Sequence, residues 1–284
     1  MKPFECVHSA ILITGGAMGM GRLYAARAAR DGASDIVLWD RDAEGLEVTA
    51  DELRRQWPQT RVHTALVDLA DAGGIRAAAE ETRKALDGRA LDALVNNAGI
   101  VRGALFWEHS ESDIVSTMAI NAVAPMLVTA AFLPAMRDDV GRGKRILNVA
   151  SAAATLPNPR MSVYAGSKWA LLGWSESLRV ELAHVGADHI AVTTFCPAYI
   201  STGMFAGARG ARLTPILTPE FATERAWRGM LSGEPVVMTP WTVRMSTVLR
   251  GLLGPRAFDA LAGGAFGVYS TMDTFTGRTD GMSR

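Results

Sequence analysis

The chain of 284 residues has only two cysteines, Cys6 and Cys196. Two thiols cannot form the disulfide framework of a small secreted domain, and both flank strand-like apolar runs, so we expect reduced, buried thiols in a cytoplasmic protein. The sequence also lacks CxxC, HExxH and clustered histidines, and we therefore predict no metal site. An apolar signal core is absent from the first ten residues, which argues against secretion.

Net charge is absent as well, because 29 basic and 29 acidic residues cancel and no run of like charge occurs. Surfaces that bind nucleic acid cluster Lys and Arg, so no nucleic-acid partner is expected. One uncharged stretch, Met118–Met136, has the length of a membrane span. It contains Asn121, Pro125 and Pro134, and we interpret it as a buried or subunit-facing helix, without membrane contact.

Short apolar runs alternate with helical segments along most of the chain. This alternation predicts an α/β fold, with a parallel sheet between two layers of helices. The predicted strands are Ser9–Thr14, Ile36–Trp39, Arg61–Leu66, Ala93–Val95, Arg145–Ala150, Ile190–Cys196 and Val236–Met238. No repeat or linker divides the chain, so residues 1–240 are predicted to form one domain, followed by a helical C-terminal extension at 241–284.

The first predicted strand leads directly into a glycine-rich turn. Gly15, Gly19 and Gly21 would let the backbone approach a pyrophosphate, and the N–H groups that open the next helix would face its negative charge. Asp40 ends the second strand, where it can accept hydrogen bonds from a ribose and repel a 2′-phosphate. NAD is therefore favoured over NADP, although the neighbouring Arg41 could pair with such a phosphate.

Tyr164 and Lys168 are four residues apart in a segment with helical character. On a helix this spacing stacks the phenol and the ammonium on one face. A nearby cation favours phenolate, so we expect a lowered tyrosine pKa and a side chain that serves as acid or base. Ser151 follows a buried strand and should lie at the carboxyl edge of the sheet, where α/β active sites form.

Together these elements resemble the short-chain dehydrogenase/reductase family over about 230 residues, from Ala10 to Pro240. The matching motifs are TGxxxGxG at Thr14–Gly21, NNAG at Asn96–Gly99, the catalytic asparagine and serine at Asn121 and Ser151, and YxxxK at Tyr164–Lys168. Apolar strings such as Ile36–Asp40 and Phe132–Met136 are most similar to the retinol and hydroxysteroid dehydrogenase branch. Ala198 departs from the family's usual glycine. The resemblance implies a Rossmann-type, doubly wound sheet of about seven parallel strands.

The resemblance also implies a role for each catalytic residue. Tyr164 would exchange a proton with the substrate oxygen, and Ser151 would polarise that oxygen. Lys168 would hold the nicotinamide ribose and lower the Tyr164 pKa, while Asn121 would hold a water that links Lys168 to solvent. The implied cofactor-binding residues are Gly15, Ala17, Met18, Gly19, Met20, Gly21, Asp40, Arg41, Asp68, Leu69, Asn97, Ala98, Gly99, Tyr164, Lys168, Pro197, Ile200 and Thr202.

The loops expected to contact substrate contain no acidic residue and predict a largely apolar pocket. The predicted substrate-binding residues are Leu105, Ala153, Leu156, Tyr199, Met204 and Phe205. We therefore expect an NAD(H)-dependent oxidoreductase that interconverts a secondary alcohol and its ketone on a lipophilic skeleton, as a homodimer or homotetramer. The alternatives are a non-catalytic nucleotide-binding scaffold or sensor, and a dihydrodiol dehydrogenase. The extension could cover the cleft, a partner subunit or a membrane surface, in that order of preference.

Overall fold

The computed structural model describes residues 2–277. Seven strands form one sheet in which every neighbouring pair is parallel. The strands are β1 (Ala10–Thr14), β2 (Asp35–Asp40), β3 (Arg61–Leu66), β4 (Ala93–Asn96), β5 (Lys144–Val149), β6 (Ile190–Pro197) and β7 (Val236–Thr239). Their order is β3-β2-β1-β4-β5-β6-β7, which confirms the doubly wound prediction and opens a crevice at the carboxyl ends of β1 and β4.

Helices connect the strands and continue beyond β7. Within the described residues the α-helices are α1 (Gly19–Arg30), α2 (Ala43–Gln56), α3 (Ala72–Ala85), α4 (Glu111–Met118), α5 (Ala124–Asp138), α6 (Ser162–His184), α7 (Pro219–Ser232), α8 (Trp241–Leu252) and α9 (Pro255–Asp259). Helical turns of π type join α4 to α5 at Ala119–Val123 and follow α9 at Ala260–Ala265. Residues 278–284 of the predicted extension lie outside the described residues.

The central strands β1, β4, β5 and β6 are buried on both faces, which explains why they are mostly apolar runs. In β1 the side chains of Ile11 and Ile13 join a core with α1, α2 and α7, whereas Ala10 and Leu12 join a second core with α3, α5 and α6. All four of these side chains are fully buried. Cys6 and Cys196 are also buried, and both are free thiols, as predicted.

The helix predicted at Met118–Met136 is longer than expected. It starts at Glu111, because the Ser110 side chain caps the helix by accepting a hydrogen bond from the Asp113 N–H (3.1 Å), and it continues to Asp138. Its length and composition alone would suffice to cross a membrane, and 44% of its most apolar window is buried inside the protein. The buried share packs against α3 and α6.

A buried chain of polar side chains ties β4 and β5 to α6, below the crevice. Asn96 Nδ2 donates to Asn148 Oδ1 (2.8 Å), and Asn148 Nδ2 donates to Ser175 Oγ (2.8 Å). Ser175 in turn donates to the Leu171 carbonyl, one turn earlier in the helix (2.8 Å). Asn148 and Ser175 are fully buried, so these hydrogen bonds take the place of the bonds that the polar groups would make with water. The connected hydrogen bonds hold α6 in a fixed position relative to β4 and β5.

We predict that Ser175→Ala lowers the free energy of unfolding by about 2 kcal/mol, because it leaves the buried amide of Asn148 without an acceptor. Ser177→Ala is the matched control, since Ser177 also donates to the carbonyl four residues earlier but is exposed. Urea unfolding of the two variants should give a large difference in midpoint. Equal midpoints would contradict a stabilising role for this chain of hydrogen bonds.

Candidate active site

The glycine turn between β1 and α1 is shaped by its contact with the strand end that carries NNAG. Gly15 has φ +69°, and a Cβ there would lie 2.9 Å from Asn97 Nδ2. A Cβ at Gly21 would overlap the Gly15 carbonyl oxygen. Gly19, with φ +55°, faces only the Thr202 side chain at 3.9 Å and starts α1. Two of these glycines therefore close the turn, while Gly19 presents the helix N-terminus to the crevice.

Asp40, at the end of β2, is held in a fixed orientation beside this turn. Its Oδ2 accepts from the Ala17 N–H (3.0 Å), and its Oδ1 accepts from the N–H groups of Arg41 (2.8 Å) and Asp42 (3.2 Å). The carboxylate still lines the crevice, where its free lone pairs can accept hydroxyl protons. Arg41 is exposed and forms no ion pair within residues 2–277.

A cavity of about 580 Å³ extends along the carboxyl ends of the strands, and we call it the cleft. The predicted residues that line it are Gly15, Met18, Gly19, Met20, Asp40, Arg41, Asp68, Leu69, Asn97, Ala98, Gly99, Ser151, Tyr164, Lys168, Pro197, Ile200, Thr202, Met204 and Phe205. Ala17 and Gly21 were also predicted but do not line the cleft. Their contacts stabilise the glycine turn: the Ala17 N–H donates to Asp40, and Gly21 packs against the Gly15 carbonyl. The cleft is also lined by residues that were not predicted to bind the cofactor, namely Asp42, Val67, Ile100, Ile120, Val149, Ala150 and Ala198. Most of these directly flank predicted residues, so their position near strand ends was the available signal.

Tyr164 and Lys168 lie side by side in the first turns of α6, and both are almost completely buried. The Lys168 Nζ is 5.8 Å from the centre of the Tyr164 ring and donates to the Val149 carbonyl at the end of β5 (2.8 Å). Ser151, Tyr164 and Lys168 all line the same cavity, and the Ser151 side chain is close enough to lower the Tyr164 pKa. The triplet predicted from spacing is thus brought together, with the ammonium over the ring and directed to a strand end.

Burial controls the ionisation of this pair. It raises the pKa of Tyr164 above its ordinary value, and the nearby Ser151 side chain only partly opposes this. The expectation of a lowered Tyr164 pKa is therefore wrong for this structure, because desolvation by burial outweighs the groups that favour phenolate. Burial also lowers the pKa of Lys168 to about 8.

Asn121 lies in the π-helical turn between α4 and α5 and is fully buried. Its Oδ1 accepts from the Ile100 N–H (2.8 Å), and its Nδ2 donates to the Ile100 carbonyl (2.8 Å) and to Ser167 Oγ (3.1 Å). The side chain therefore fixes the segment after β4 against α6. Its predicted role in holding a water remains a prediction.

The substrate side of the cleft opens into a smaller cavity of about 80 Å³, which we call the inner cavity. Of the residues predicted to bind substrate, Ala153, Leu156 and Tyr199 line it, and Phe205 lines both the cleft and the inner cavity. Leu105 lines neither. Ala198, the departure from the family's glycine, also borders both cavities and has no positive φ.

The extension covers this inner cavity, which is the first of the three positions considered for it. Thr271 lines the cavity and accepts hydrogen bonds from Asn158 Nδ2 (3.2 Å) and the Tyr199 hydroxyl (2.9 Å). Its backbone carbonyl accepts from the Arg209 N–H (2.9 Å). On α8, Arg250 donates to the Thr155 carbonyl (2.7 Å). Residues of the extension therefore form part of the wall of the inner cavity.

Comparison with known proteins agrees with this geometry. The family model described as short chain dehydrogenase matches residues 9–212. The chain belongs to the short-chain dehydrogenase/reductase family. Estradiol 17-beta-dehydrogenase 11 of Rattus norvegicus is 33% identical over 251 residues, covering 88% of this chain and 82% of that protein. Retinol dehydrogenase 10-B of Danio rerio is 32% identical over 272 residues, covering 88% and 79%. These relatives confirm the predicted branch.

Solved structures of family members share the fold. One from Burkholderia phymatum in complex with NAD has a TM-score of 0.78 at 24% identity, covering 88% of this chain and 95% of that chain. Another from Sphingobium yanoikuyae in complex with NADPH has a TM-score of 0.73 at 28% identity, covering 86% and 94%. This short-chain dehydrogenase/reductase is accordingly an oxidoreductase that acts on alcohols with a nicotinamide cofactor.

The lowered pKa of Lys168 predicts a pH dependence. Its positive charge is present at pH 6 and is lost as the pH rises through about 8. We expect kcat/KM for the reduced cofactor to fall above that pH, because this parameter reports groups of the free enzyme and Lys168 lines the cleft. The pH dependence of this kcat/KM can be measured from initial rates of ketone reduction between pH 6 and pH 10.

Lys168→Arg supplies the control, because a guanidinium stays charged throughout this range. The fall near pH 8 should disappear in the variant, whatever its absolute rate. An unchanged fall would assign the titration to another group.

Proposed function

We propose that this protein is an NAD(H)-dependent oxidoreductase that interconverts a secondary alcohol and its ketone on a lipophilic skeleton, with Tyr164 as general acid and base. One observation carries the proposal: Ser151 lines both the cleft and the inner cavity, and the Tyr164 side chain, on whose pKa Ser151 acts, lines the cleft next to it. A carbonyl oxygen placed there can accept from both hydroxyls, while the rest of the substrate extends into the inner cavity.

The residues around the cleft fit a nicotinamide dinucleotide. The turn at Gly15 and Gly19 exposes backbone N–H groups at the start of α1, which suit a pyrophosphate. Asp40 lies at the far end of the cleft, and Lys168 lies near Tyr164. When bound, this cofactor supplies or accepts the hydride. The protein then has to orient the substrate and move one proton.

Tyr164 moves that proton. Because burial raises its pKa, the phenol is protonated at neutral pH and can donate to the oxygen of a ketone. In the oxidative direction it must accept the hydroxyl proton of the alcohol, which becomes easier as the pH rises. Ser151 is held by the Ala153 N–H, which donates to its Oγ (3.1 Å), so the hydroxyl keeps its direction while the substrate oxygen changes charge.

The negative charge of Asp40 favours NAD over NADP. The Asp40 carboxylate accepts three backbone N–H groups and cannot turn away, so a 2′-phosphate at this position would face a fixed negative charge. Arg41 can offset part of that repulsion, but its side chain is exposed and its interactions are screened by solvent.

The inner cavity supports a lipophilic substrate. No charged side chain among the described residues lines it, and its walls include Met161, Tyr199, Phe205 and Val243. The rings of Tyr199 and Phe205 pack edge to face at 5.2 Å, and Phe205 packs in the same manner on Tyr164 at 5.9 Å. An apolar substrate skeleton in this cavity would be removed from water, which is favourable, and it would not displace water from any charged side chain of the described lining.

We predict that Tyr164→Phe lowers kcat by about 10²- to 10⁴-fold, the usual contribution of a positioned acid or base, and leaves the affinity for NAD within about twofold. Tyr24→Phe is a matched control, because Tyr24 is fully buried and its hydroxyl has no hydrogen-bond partner within residues 2–277. NADH formation with a panel of secondary alcohols and NAD titration by calorimetry are the two measurements. Full activity in Tyr164→Phe would sink the proposal, and binding without turnover in the wild type would favour a scaffold.

Asp40→Asn should reduce the ratio of kcat/KM for NAD to kcat/KM for NADP by at least about tenfold, because the fixed charge is removed with little change in shape. The ratio is taken within one variant, so any loss of folded protein cancels. Arg41→Ala is the comparison and should raise the ratio. A wild-type enzyme that prefers NADP would refute the argument from Asp40.

A further inference from the structure

The inner cavity leads to a second, smaller space that lies within the C-terminal extension. This distal recess has a volume of about 30 Å³ between α8, α9 and the π-helical turn at Ala260–Ala265. Its walls include Met245, Leu249, Phe258, Leu261, Ala262 and Phe266. The one charged side chain among its described lining residues is Arg212, which is exposed and donates to the Ala265 carbonyl (3.4 Å). The recess is thus an apolar space and the last of three neighbouring cavities, after the cleft and the inner cavity.

Among the described residues, every hydroxyl that lines both the inner cavity and the recess has a hydrogen-bond partner. Leu156, Thr214, Thr242 and Ser246 line both spaces. The hydroxyls of Thr214 and Thr242 bond with each other (3.0 Å), and Ser246 Oγ donates to the Thr242 carbonyl (2.9 Å). An apolar chain that passes them therefore leaves no new polar group without a partner.

We propose that the distal recess binds the end of a slender apolar arm on the substrate. The substrate class would then be a secondary alcohol or ketone with an unbranched chain directed away from the reacting carbon, into the extension. The inference rests on the proposed function, since Ser151 lines both the cleft and the inner cavity and sets where the reacting carbon lies.

The size of the recess decides between a chain and a ring. A cavity needs a volume of roughly 10–15 Å³ to hold one water-sized group. The recess, with about 30 Å³, therefore has room for two or three carbons of a chain and is too small for a fused ring. Phe258 and Ala262 are almost completely buried, and close-packed walls of this kind do not widen without cost. The recess therefore selects by the length and width of the arm.

The test is a series of 2-alkanols from 2-butanol to 2-dodecanol, oxidised with NAD. In the wild type, kcat/KM should rise about fourfold for each methylene that enters the apolar spaces and then reach a plateau when the recess is full. Leu249→Trp fills the recess, and the ratio of long-chain to short-chain kcat/KM should fall at least tenfold. Val248→Trp is the matched control, because Val248 neighbours Leu249 on α8 but is 56% exposed and does not line the recess.

Leu249→Ala provides the opposite change and guards against misfolding of the larger variant. It enlarges the recess and should move the plateau to longer chains by one or two carbons. A flat series in the wild type, or equal effects of the tryptophan at positions 248 and 249, would overturn the inference while leaving the proposed function intact. Absence of turnover with every 2-alkanol and with bulkier secondary alcohols would instead remove the proposed function itself.

Discussion

The contact between the glycine turn and the end of β4 is the constraint on which the rest of the site depends. Thr14 Oγ1 accepts from the N–H groups of Asn97 (3.0 Å) and Ala98 (3.1 Å), and Asn97 Nδ2 donates back to the Thr14 carbonyl (2.9 Å). These bonds join β1 and β4 at the point where the winding of the sheet reverses, so they hold the two halves of the crevice at a fixed separation. Gly15 is required because a side chain would occupy the same space as Asn97.

The same depth of burial has opposite effects on the two ionisable groups of α6. The raised pKa of the Tyr164 phenol and the lowered pKa of the Lys168 ammonium both follow from removing charge from water. Lys168 retains its proton at neutral pH, and its ammonium donates a hydrogen bond to the Val149 carbonyl. The site thus stores one transferable proton on Tyr164 and one fixed positive charge close to it.

The sequence predicted the sheet well because parallel strands buried on both faces must be continuous apolar runs, and their ends carry the turn chemistry of glycine, aspartate and asparagine. It also predicted that Ser151, Tyr164 and Lys168 would meet. The direction of the Tyr164 pKa shift could not be predicted, because it is dominated by how deeply the phenol is buried in the folded protein. Thr271 was not identified either, since it is more than 70 residues from Tyr199 and no periodicity marks it as part of the cavity wall.

The extension and the loop after β6 are joined too closely to move separately. The N–H groups of Thr276 and Gly277 donate to the Ala206 carbonyl (3.0 and 3.2 Å), and Thr274 Oγ1 donates to the Gly207 carbonyl (2.6 Å). Gly207 has φ +80°, and a Cβ there would overlap the Thr274 carbonyl oxygen. Separating the loop from residues 274–277 therefore requires breaking these hydrogen bonds, and a ligand that binds only the closed arrangement stabilises them by the free energy of its own binding.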